Sequence, residues 1–228
     1  MAARVVVVGA AGKMGKAVQA AAVGREDVTI AAAVDQGDDV AAALAHADVY
    51  IDFSTPAATL AAARAAIAAK RAAIIGTTGL GADAEPLFGE LAKVAPVVVA
   101  ANFSLGVNLM LGLVRQAARA LGPAWDAEVV ETHHKAKRDA PSGTALAIAR
   151  SIAAGHGANY DAVKRHTRDG DVVGEHVAYF FGEHERIEIA HRATSRSIFA
   201  TGALVAAAWV VGKPPGRYTM LDVLGLPS

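Results

Sequence analysis

The sequence lacks cysteine, carries no excess of either charge and has no long apolar run. Without cysteine it can form no disulfide, thiolate nucleophile or cysteine-ligated zinc site. Its 22 lysines and arginines balance 22 aspartates and glutamates, which argues against a nucleic-acid-binding or membrane-surface protein, because both usually carry a basic excess. No apolar run approaches the roughly 18 residues of a membrane span. We therefore expect a soluble protein that binds neither nucleic acid nor membrane.

The first residues, MAARVVVVGAAGKMG, place an arginine before an apolar run, as a secretory signal peptide does. The run is too short, however, and glycines and a lysine interrupt it where the apolar region of a signal peptide would continue. We therefore expect a cytoplasmic protein. Its 228 residues are enough for one large domain or two small ones with a buried core.

The N-terminal half alternates short β-branched runs with alanine-rich stretches of helical spacing. This alternation predicts a parallel sheet with crossover helices, which is an open α/β fold. The predicted strands are Val5–Val8, Val28–Val34, Val49–Phe53, Ala72–Ile75 and Val97–Val99. The predicted helices between them are Lys13–Val23, Ala57–Ala69 and Asp83–Val94.

The pattern changes near Ser104, which makes this position the best candidate for a domain boundary. A long apolar stretch follows it, and from there strands and helices no longer alternate regularly. The elements predicted in this part are a helix at Leu105–Leu121, a strand at Trp125–Glu131, a helix at Thr144–Ala154, a strand at Arg186–Ala190 and a helix at Ser197–Val211.

Three glycines, Gly9, Gly12 and Gly15, lie between the first predicted strand and the first helix. Glycine allows a tight turn and a close approach to a ligand, and the helix N-terminus offers N–H groups to a pyrophosphate. Asp35 ends the second strand twenty residues after Gly15, where an acceptor for a ribose diol is expected. This context predicts a dinucleotide site, although an ordinary tight turn remains the alternative.

Two later strand ends carry small or polar residues where open α/β sheets bind ligands. One is Gly76, Thr77 and Thr78 in IIGTTG, and the other is residues 100–103 in VVVAANFS. We interpret both as further parts of the dinucleotide site. The alternative for Thr77 and Thr78 is that they cap the next helix.

The stretch ETHHKAKRDAPSGTA, residues 131–145, combines histidines and lysines. Adjacent His133 and His134 would point to opposite faces of a strand, and Lys135 and Lys137 would repel a cation, so we expect no metal site. No G-x-S-x-G elbow surrounds Ser142, which argues against a hydrolase pair with His133. A solvated charge run is the other alternative. A histidine and a lysine at this spacing can instead transfer protons near neutral pH.

A Pro-Ser-Gly-Thr turn follows these residues and leads into a helix. Its N–H groups favour a carboxylate, and Gly143 lets a ligand come close to the backbone. A nicotinamide domain followed by a proton donor and a carboxylate site indicates reduction of a small acidic C=N or C=C substrate.

This stretch resembles the signature E-x-H-H-x-x-K-x-D-A-P-S-G-T-A of the dihydrodipicolinate reductase family. Further segments are similar to family segments in the same order: GAAGKMG, IDFSTP, IGTTG, AANFSLGVN, GDVVGEH, ERIEIAHRATSR and FATGALVAAAW. The resemblance runs from residue 5 to the C-terminal DVLGL. The segment between Asp35 and Asp48 and the loop between Ala154 and Gly170 are shorter than in longer members.

The resemblance implies an α/β fold with a Rossmann-like dinucleotide-binding domain, residues 1–104 and 197–228, and a smaller α+β domain with a mixed sheet, residues 105–196. The smaller domain would bind the substrate and form a homotetramer. The resemblance also implies that His133 is the general acid/base and that Lys137 is the proton donor. The implied substrate-binding residues are His134, Ser142, Gly143 and Thr144. The implied cofactor-binding residues are Gly9, Ala10, Ala11, Gly12, Lys13, Met14, Asp35, Gly76, Thr77, Thr78, Ala100, Ala101, Asn102 and Phe103.

The function implied is NAD(P)H-dependent reduction of 4-hydroxy-tetrahydrodipicolinate, a small cyclic dicarboxylate, to tetrahydrodipicolinate in lysine and diaminopimelate biosynthesis. Because three carboxylates lie near the expected ribose, at Asp35, Asp38 and Asp39, we expect NADH to be preferred and NADPH to be used as well. The alternatives are a related oxidoreductase for another amino-acid-derived imine or semialdehyde, and a non-catalytic NAD-sensing module.

Overall fold

The computed structural model describes residues 1–157 and 163–227. The chain divides into two compact units, one formed by Met1–Ser104 with Ser197–Gly225 and the other mainly by Leu105–Arg196. In the part of the chain covered by these ranges, no helix has the length and apolar character needed to span a bilayer.

The first unit contains a fully parallel six-stranded sheet in the order β10-β5-β4-β3-β1-β2. The strands Ala3–Val8, Val49–Asp52 and Ala72–Ile75 are buried almost throughout, which explains why their sequences are nearly continuous apolar runs. The strands are β1 (Ala3–Val8), β2 (Val28–Val34), β3 (Val49–Asp52), β4 (Ala72–Ile75), β5 (Pro96–Val99) and β10 (Gly216–Tyr218). The helices are α1 (Lys13–Ala22), α2 (Val40–Ala45), α3 (Pro56–Ala69), α4 (Ala84–Val94), α7 (Ser197–Val210) and α8 (Met220–Val223).

The core of this unit forms where alanine-rich helices pack on the β-branched strands. Tyr50, Ile75, Phe88 and Leu91 have no exposed surface and belong to one continuous apolar cluster. Because all six strands run in the same direction, their carboxyl ends meet at one edge of the sheet. Any loop that follows a strand is therefore delivered to the same edge.

The second unit is built on a mixed four-stranded sheet in the order β7-β6-β8-β9, in which only β6 and β7 are parallel. The strands are β6 (Asp126–His133), β7 (Val163–Arg168), β8 (Gly174–Phe181) and β9 (Arg186–Ala193), and the helices are α5 (Leu105–Leu121) and α6 (Gly143–His156). Residues of α5 and α6 form one apolar core with Val129 of β6 and Phe180 of β8. The other face of the sheet is not deeply buried, because Val130, Tyr179 and Phe181 remain partly exposed.

The predicted fold class, a Rossmann-like α/β domain with a smaller mixed-sheet α+β domain, is confirmed. Five elements were not predicted from the sequence: α2, β7, β8, β10 and α8. The largest omission is β8, whose alternating pattern begins with the polar residues Gly-Glu-His. Strand β6 also continues two residues beyond the predicted Glu131, so that His133 lies at its end rather than in a loop.

Candidate functional site

The glycine loop between β1 and α1 has a backbone that larger residues would not fit. Gly9 has φ of 77°, a left-handed conformation that favours glycine, and its N–H donates to the Val34 carbonyl at 2.9 Å. A Cβ on Gly15 would overlap the Gly9 carbonyl oxygen and lie 2.6 Å from Cα of Ala10. The first turn of α1 therefore packs directly on the loop, as a dinucleotide-binding turn requires.

The N-terminus of α1 has no side-chain cap, because its N-cap residue is Gly12. The unsatisfied N–H groups of a first helical turn are suited to bind a pyrophosphate. Lys13 is exposed and Met14 is half-buried at this end of the helix. The Asp35 carboxylate accepts a hydrogen bond from the Ala11 N–H at 2.5 Å, which joins the end of β2 to the loop.

The loops after β3 and β4 meet at a buried carboxylate, Asp52. Its Oδ1 accepts hydrogen bonds from the Ser54 N–H at 2.8 Å and from the Thr77 hydroxyl at 3.2 Å. Gly76 donates to the Asp52 carbonyl at 2.8 Å, and Thr78 is exposed beside it. The capping alternative for the two threonines is wrong, because α4 begins at Ala84 with Asp83 as its N-cap residue.

The loop after β5 lies at the same edge of the sheet. The Ala100 N–H donates to the Ile75 carbonyl at 3.1 Å, and Ala101 is exposed. The Asn102 Oδ1 accepts from the Ser104 N–H at 2.8 Å, and buried Phe103 packs edge-on against Phe53 with ring centroids 5.7 Å apart. All the predicted cofactor-binding residues are thus brought to one edge of the first unit.

The second unit places a buried carboxylate, Glu131, at the centre of a polar cluster. Its Oε1 accepts hydrogen bonds from the Ser142 N–H at 3.0 Å and from the Arg168 guanidinium at 3.2 Å. Its Oε2 lies 3.4 Å from Nδ1 of His133 and 3.5 Å from Nε2 of His176. Burial alone would raise the pKa of the Glu131 carboxyl, but the adjacent His176 ring and Ser142 outweigh this effect and hold the pKa below its usual range.

His133 lies at the end of β6 with only 7% of its surface exposed. Burial lowers its pKa to about 4, the nearby Glu131 charge opposes this effect, and the charges of Lys137 and Arg168 add to it. The imidazole contacts the His176 ring edge-on, with centroids 5.1 Å apart. His133 is therefore neutral near pH 7 in the free protein and can accept a proton.

His134 points to a different place from His133, as expected for adjacent residues on a strand end. Its Nε2 lies 3.3 Å from a guanidinium nitrogen of Arg196. His134 and Arg196 line an open pocket of about 370 Å³, whose other lining residues are Lys135, Ala136, Gly170, Asp171 and Val173. The cationic groups around this pocket suit an anionic ligand.

The remaining predicted residues surround the start of α6. The Lys137 amine is paired with both oxygens of Asp139 at 2.7 and 2.8 Å. The Ser142 hydroxyl caps α6 by accepting from the Ala145 N–H at 3.1 Å. Gly143 has open space beside its Cα, and Thr144 is half-buried in the first turn. His133 and Ser142 are joined through Glu131, whereas Lys137 is held by Asp139.

Glu131, His133 and His176 offer ligand atoms that all lie within 4.8 Å of one another. Such a group could hold a divalent ion. Two features favour proton transfer instead. Arg168 already neutralises the Glu131 carboxylate, and the charges of Lys137 and Arg168 disfavour a further cation beside His133.

Four residues of this region were not predicted from the sequence: Glu131, Arg168, His176 and Arg196. Glu131, His176 and Arg196 lie within the motifs ETHHKAK, GDVVGEH and HRATSR, but no role was predicted for them from the sequence. His176 comes opposite Glu131 only through the antiparallel pairing of β6 and β8. For Glu131 and His176, the sequence signal that could have identified them is a polar side chain on the inward face of a strand whose other inward residues are apolar.

Comparison with known proteins agrees with these features. Residues 3–103 match the family model for the N-terminus of dihydrodipicolinate reductase, and residues 106–224 match the model for its C-terminus. The chain is 47% identical to the 4-hydroxy-tetrahydrodipicolinate reductase of Anaeromyxobacter dehalogenans (strain 2CP-1) over 264 aligned residues, covering 98% of each protein. It is 43% identical to the enzyme of that name from Zymomonas mobilis subsp. mobilis, covering 96% of each.

The fold is similar to that of a dipicolinate-bound dihydrodipicolinate reductase from Paenisporosarcina sp. TG-14, with a TM-score of 0.85, 24% identity, and coverage of 97% of this chain and 99% of the other. The amine dehydrogenase of Mycobacterium smegmatis is more distant, with a TM-score of 0.61 and 12% identity over 99% and 96% of the two chains. The two matched models together span nearly the whole chain. The chain therefore belongs to the dihydrodipicolinate reductase family, whose members are nicotinamide-dependent reductases of lysine and diaminopimelate biosynthesis.

Proposed function

We propose that this protein reduces 4-hydroxy-tetrahydrodipicolinate to tetrahydrodipicolinate, with His133 as general acid/base and Lys137 as proton donor. The observation that carries the proposal is the Glu131-centred cluster, which joins buried His133 to Ser142 at the start of α6. A proton-transfer group and a carboxylate site are thus connected by a single side chain. This combination is what reduction of an anionic imine requires.

The reaction consumes one hydride and one proton and releases the 4-hydroxyl group as water. NADH or NADPH supplies the hydride when bound. The glycine loop supports its binding in the first unit, because the tight packing at Gly15 and the uncapped N-terminus of α1 are suited to a pyrophosphate. We assign the remaining cofactor contacts to the loops after β2, β4 and β5.

The substrate carboxylates are assigned to the second unit. One is expected at the start of α6, where Gly143 leaves space and the helix N-terminus attracts an anion. The other is expected in the pocket beside His134 and Arg196. The similar Paenisporosarcina protein is named as dipicolinate-bound, and a planar pyridine dicarboxylate is therefore a suitable probe for this chain.

The proton would travel through Lys137 and His133. The Lys137 amine can donate a proton, and in the free protein it forms an ion pair with Asp139. His133 is neutral near pH 7, since burial lowers its pKa to about 4. A bound dicarboxylate would add negative charge, which favours protonated His133 during turnover.

The test is NADH oxidation with substrate generated enzymatically, compared with other cyclic imines and with semialdehydes. Turnover of the lysine-pathway intermediate in clear preference to the others supports the proposal. Faster turnover of a different imine or semialdehyde would identify the related oxidoreductase instead. Binding of NADH without turnover of any of them would identify a sensing module.

Arg196 provides a test of the substrate pocket. Replacing it by methionine should weaken pyridine-2,6-dicarboxylate binding by about 10- to 100-fold, because a hydrogen bond to a charged group contributes roughly 1.5–3 kcal/mol. NADH affinity should stay within a few-fold. Both affinities can be measured by calorimetry.

The matched control is Arg192→Met, which removes an arginine on β9 whose side chain is 64% exposed and paired with Glu175. It should leave dicarboxylate affinity unchanged. An equal loss of dicarboxylate affinity in both variants would show that the overall positive charge of the protein, rather than Arg196 itself, attracts the ligand.

The loop after β2 provides a test of cofactor preference. Asp35 lies beside the glycine loop, and Asp38 and Asp39 accept backbone hydrogen bonds from Asp35 and Ala42. Three carboxylates disfavour a 2′-phosphate, while exposed Lys13 partly offsets them. We expect kcat/KM to be a few-fold higher for NADH than for NADPH, with both cofactors used.

Asp35→Ala should reduce the difference between kcat/KM for NADH and kcat/KM for NADPH, as measured by steady-state kinetics with the two cofactors. Asp27→Ala serves as the control, because Asp27 lies before the amino end of β2 and pairs with Arg25. A tenfold or greater preference for NADPH in the wild-type protein would contradict the role of Asp35.

We also propose a cytoplasmic homotetramer formed through the second unit. The sheet face opposite α5 and α6 supports this, since Tyr179 and Phe181 stack there with centroids 5.8 Å apart and remain partly exposed. Apolar surface of this kind is usually covered by a partner. Light scattering of the purified protein tests the assembly.

A further inference from the structure

Glu131 is the first residue of the ETHHKAK motif, and the proposed chemistry gives it no direct part. It lies on the face of β6 that packs against the helices, with 1% of its surface exposed. Burial of a carboxylate is destabilising unless its partners compensate for the lost hydration. The arrangement of its two oxygens indicates what it does.

Oxygen Oε1 binds two donors of the surrounding structure. It accepts the Ser142 N–H, which fixes the turn before α6, and the Arg168 guanidinium, which neutralises the charge. Arg168 also donates to the Asp139 carbonyl at 2.6 Å. These bonds fix the orientation of the carboxylate and hence the position of its second oxygen.

Oxygen Oε2 has a different set of neighbours. It lies 3.4 Å from Nδ1 of His133 and 3.5 Å from Nε2 of His176. Within residues 1–157 and 163–227, neither Oε2 nor Nδ1 of His133 has a partner that meets hydrogen-bond geometry. Both atoms are buried, and they lie 3.4 Å apart.

This arrangement favours one tautomer of neutral His133. A carboxylate can only accept, so its charge beside Nδ1 favours the tautomer with the proton on Nδ1 and the lone pair on Nε2. Nε2 faces Gly174 of β8, where an added Cβ would lie 3.0 Å away. The proton-accepting nitrogen is therefore on the side where the neighbouring strand has no side chain.

We propose that Glu131 is the positioning residue of His133, holding the imidazole with its proton on Nδ1 so that Nε2 exchanges protons during the reaction. Glu131 does not touch the substrate and acts through His133. Because the same carboxylate binds the Ser142 N–H, it also keeps the imidazole in register with the start of α6. This inference rests on the proposed function for its kinetic consequence, but its structural part does not.

Glu131→Gln gives a sharp test, since it removes one charge and keeps the shape. The amide oxygen should take the Oε1 position, where two donors require an acceptor. The amide NH₂ then faces His133 and donates to Nδ1. The substitution should thus reverse the tautomer and move the proton of neutral His133 to Nε2.

The reversal can be observed directly by ¹⁵N NMR of histidine-labelled protein, in which protonated and unprotonated ring nitrogens have distinct shifts. His133 is assigned from the resonances lost in His133→Gln. We expect Nδ1 of His133 to be protonated in the wild type and Nε2 to be protonated in Glu131→Gln.

The kcat of Glu131→Gln should also fall by about 10²-fold, comparable with the loss of a general acid/base. The KM for the dicarboxylate should stay within a few-fold, because the Ser142 N–H keeps its acceptor.

Two further variants separate positioning from stability. Glu183→Gln makes the same chemical change in the β8–β9 turn, where the side chain is 90% exposed, and should alter neither tautomer nor kcat. Glu131→Asp retains the charge. Unlike Glu131→Gln, it should keep the proton of His133 on Nδ1 and should keep part of the wild-type kcat. If Glu131→Gln fails to fold, Glu131→Asp still tests the proposal, since it should keep the wild-type tautomer.

An unchanged His133 tautomer in folded Glu131→Gln would overturn the inference, as would a wild-type His133 with its proton on Nε2. An equal loss in kcat and dicarboxylate affinity would also overturn it, by assigning Glu131 a structural role only. If wild-type protein shows the expected tautomer but does not reduce the imine, the proposed function fails while the positioning of His133 stands.

Discussion

His133→Gln is expected to lower kcat by about 10² to 10⁴, because general acid–base catalysis typically contributes that much. NADH affinity should remain within a few-fold, since the predicted dinucleotide contacts belong to the first unit. The imidazole is buried, contacts Glu131 and is neutral near pH 7. Glutamine reproduces part of its volume but has no group that can exchange protons in this range.

Single-turnover and steady-state NADH oxidation measure the effect. The matched control is His184→Gln, because the His184 side chain is 89% exposed in the β8–β9 turn. Pyridine-2,6-dicarboxylate binding and thermal unfolding should be checked in both variants, since only His133 is buried. A folded His133→Gln protein with wild-type kcat would remove His133 from the mechanism.

Much of the first unit could be predicted because its signals are local. The runs Val5–Val8 and Ala72–Ile75 are buried on both sides, so their sequences are continuously apolar and their bounds are nearly correct. The glycine loop could be located because glycine is required there for steric reasons that involve only neighbouring residues. A parallel sheet then brings the ends of its strands together without further information.

The second unit was harder to predict because its polar cluster depends on pairing between distant strands. Glu131 meets His176 only in the register of β6 with β8, and β8 was not recognised. Arg168 lies on β7, a strand whose sequence VKRHTR has no apolar periodicity. The family resemblance supplied His133 and Lys137, but no pattern in the sequence indicates that Lys137 is held by Asp139 or that Glu131 contacts His133.

The glycine loop also permits a prediction with a large effect on cofactor binding. In Gly15→Ala the added methyl group would overlap the Gly9 carbonyl oxygen and approach Cα of Ala10 to 2.6 Å. Both neighbours are backbone atoms in a turn with a left-handed glycine, so they cannot give way without opening the loop. Overpacking of this kind costs typically 1–3 kcal/mol. The same displacement would move the uncapped N–H groups of α1, and NADH affinity should fall about tenfold or more.

Gly89→Ala is the matched control for this substitution, because Gly89 is an exposed helical residue of α4 and a Cβ there would meet no atom within 4 Å. Alanine is favoured over glycine in a helix interior by roughly 0.5–1 kcal/mol. Gly89→Ala should therefore raise the free energy of unfolding in urea and leave NADH affinity unchanged, while Gly15→Ala lowers both. If Gly15→Ala has the same stability and NADH affinity as the wild type, α1 does not pack on the loop as closely as the structure indicates. The dinucleotide site would then have to be sought elsewhere.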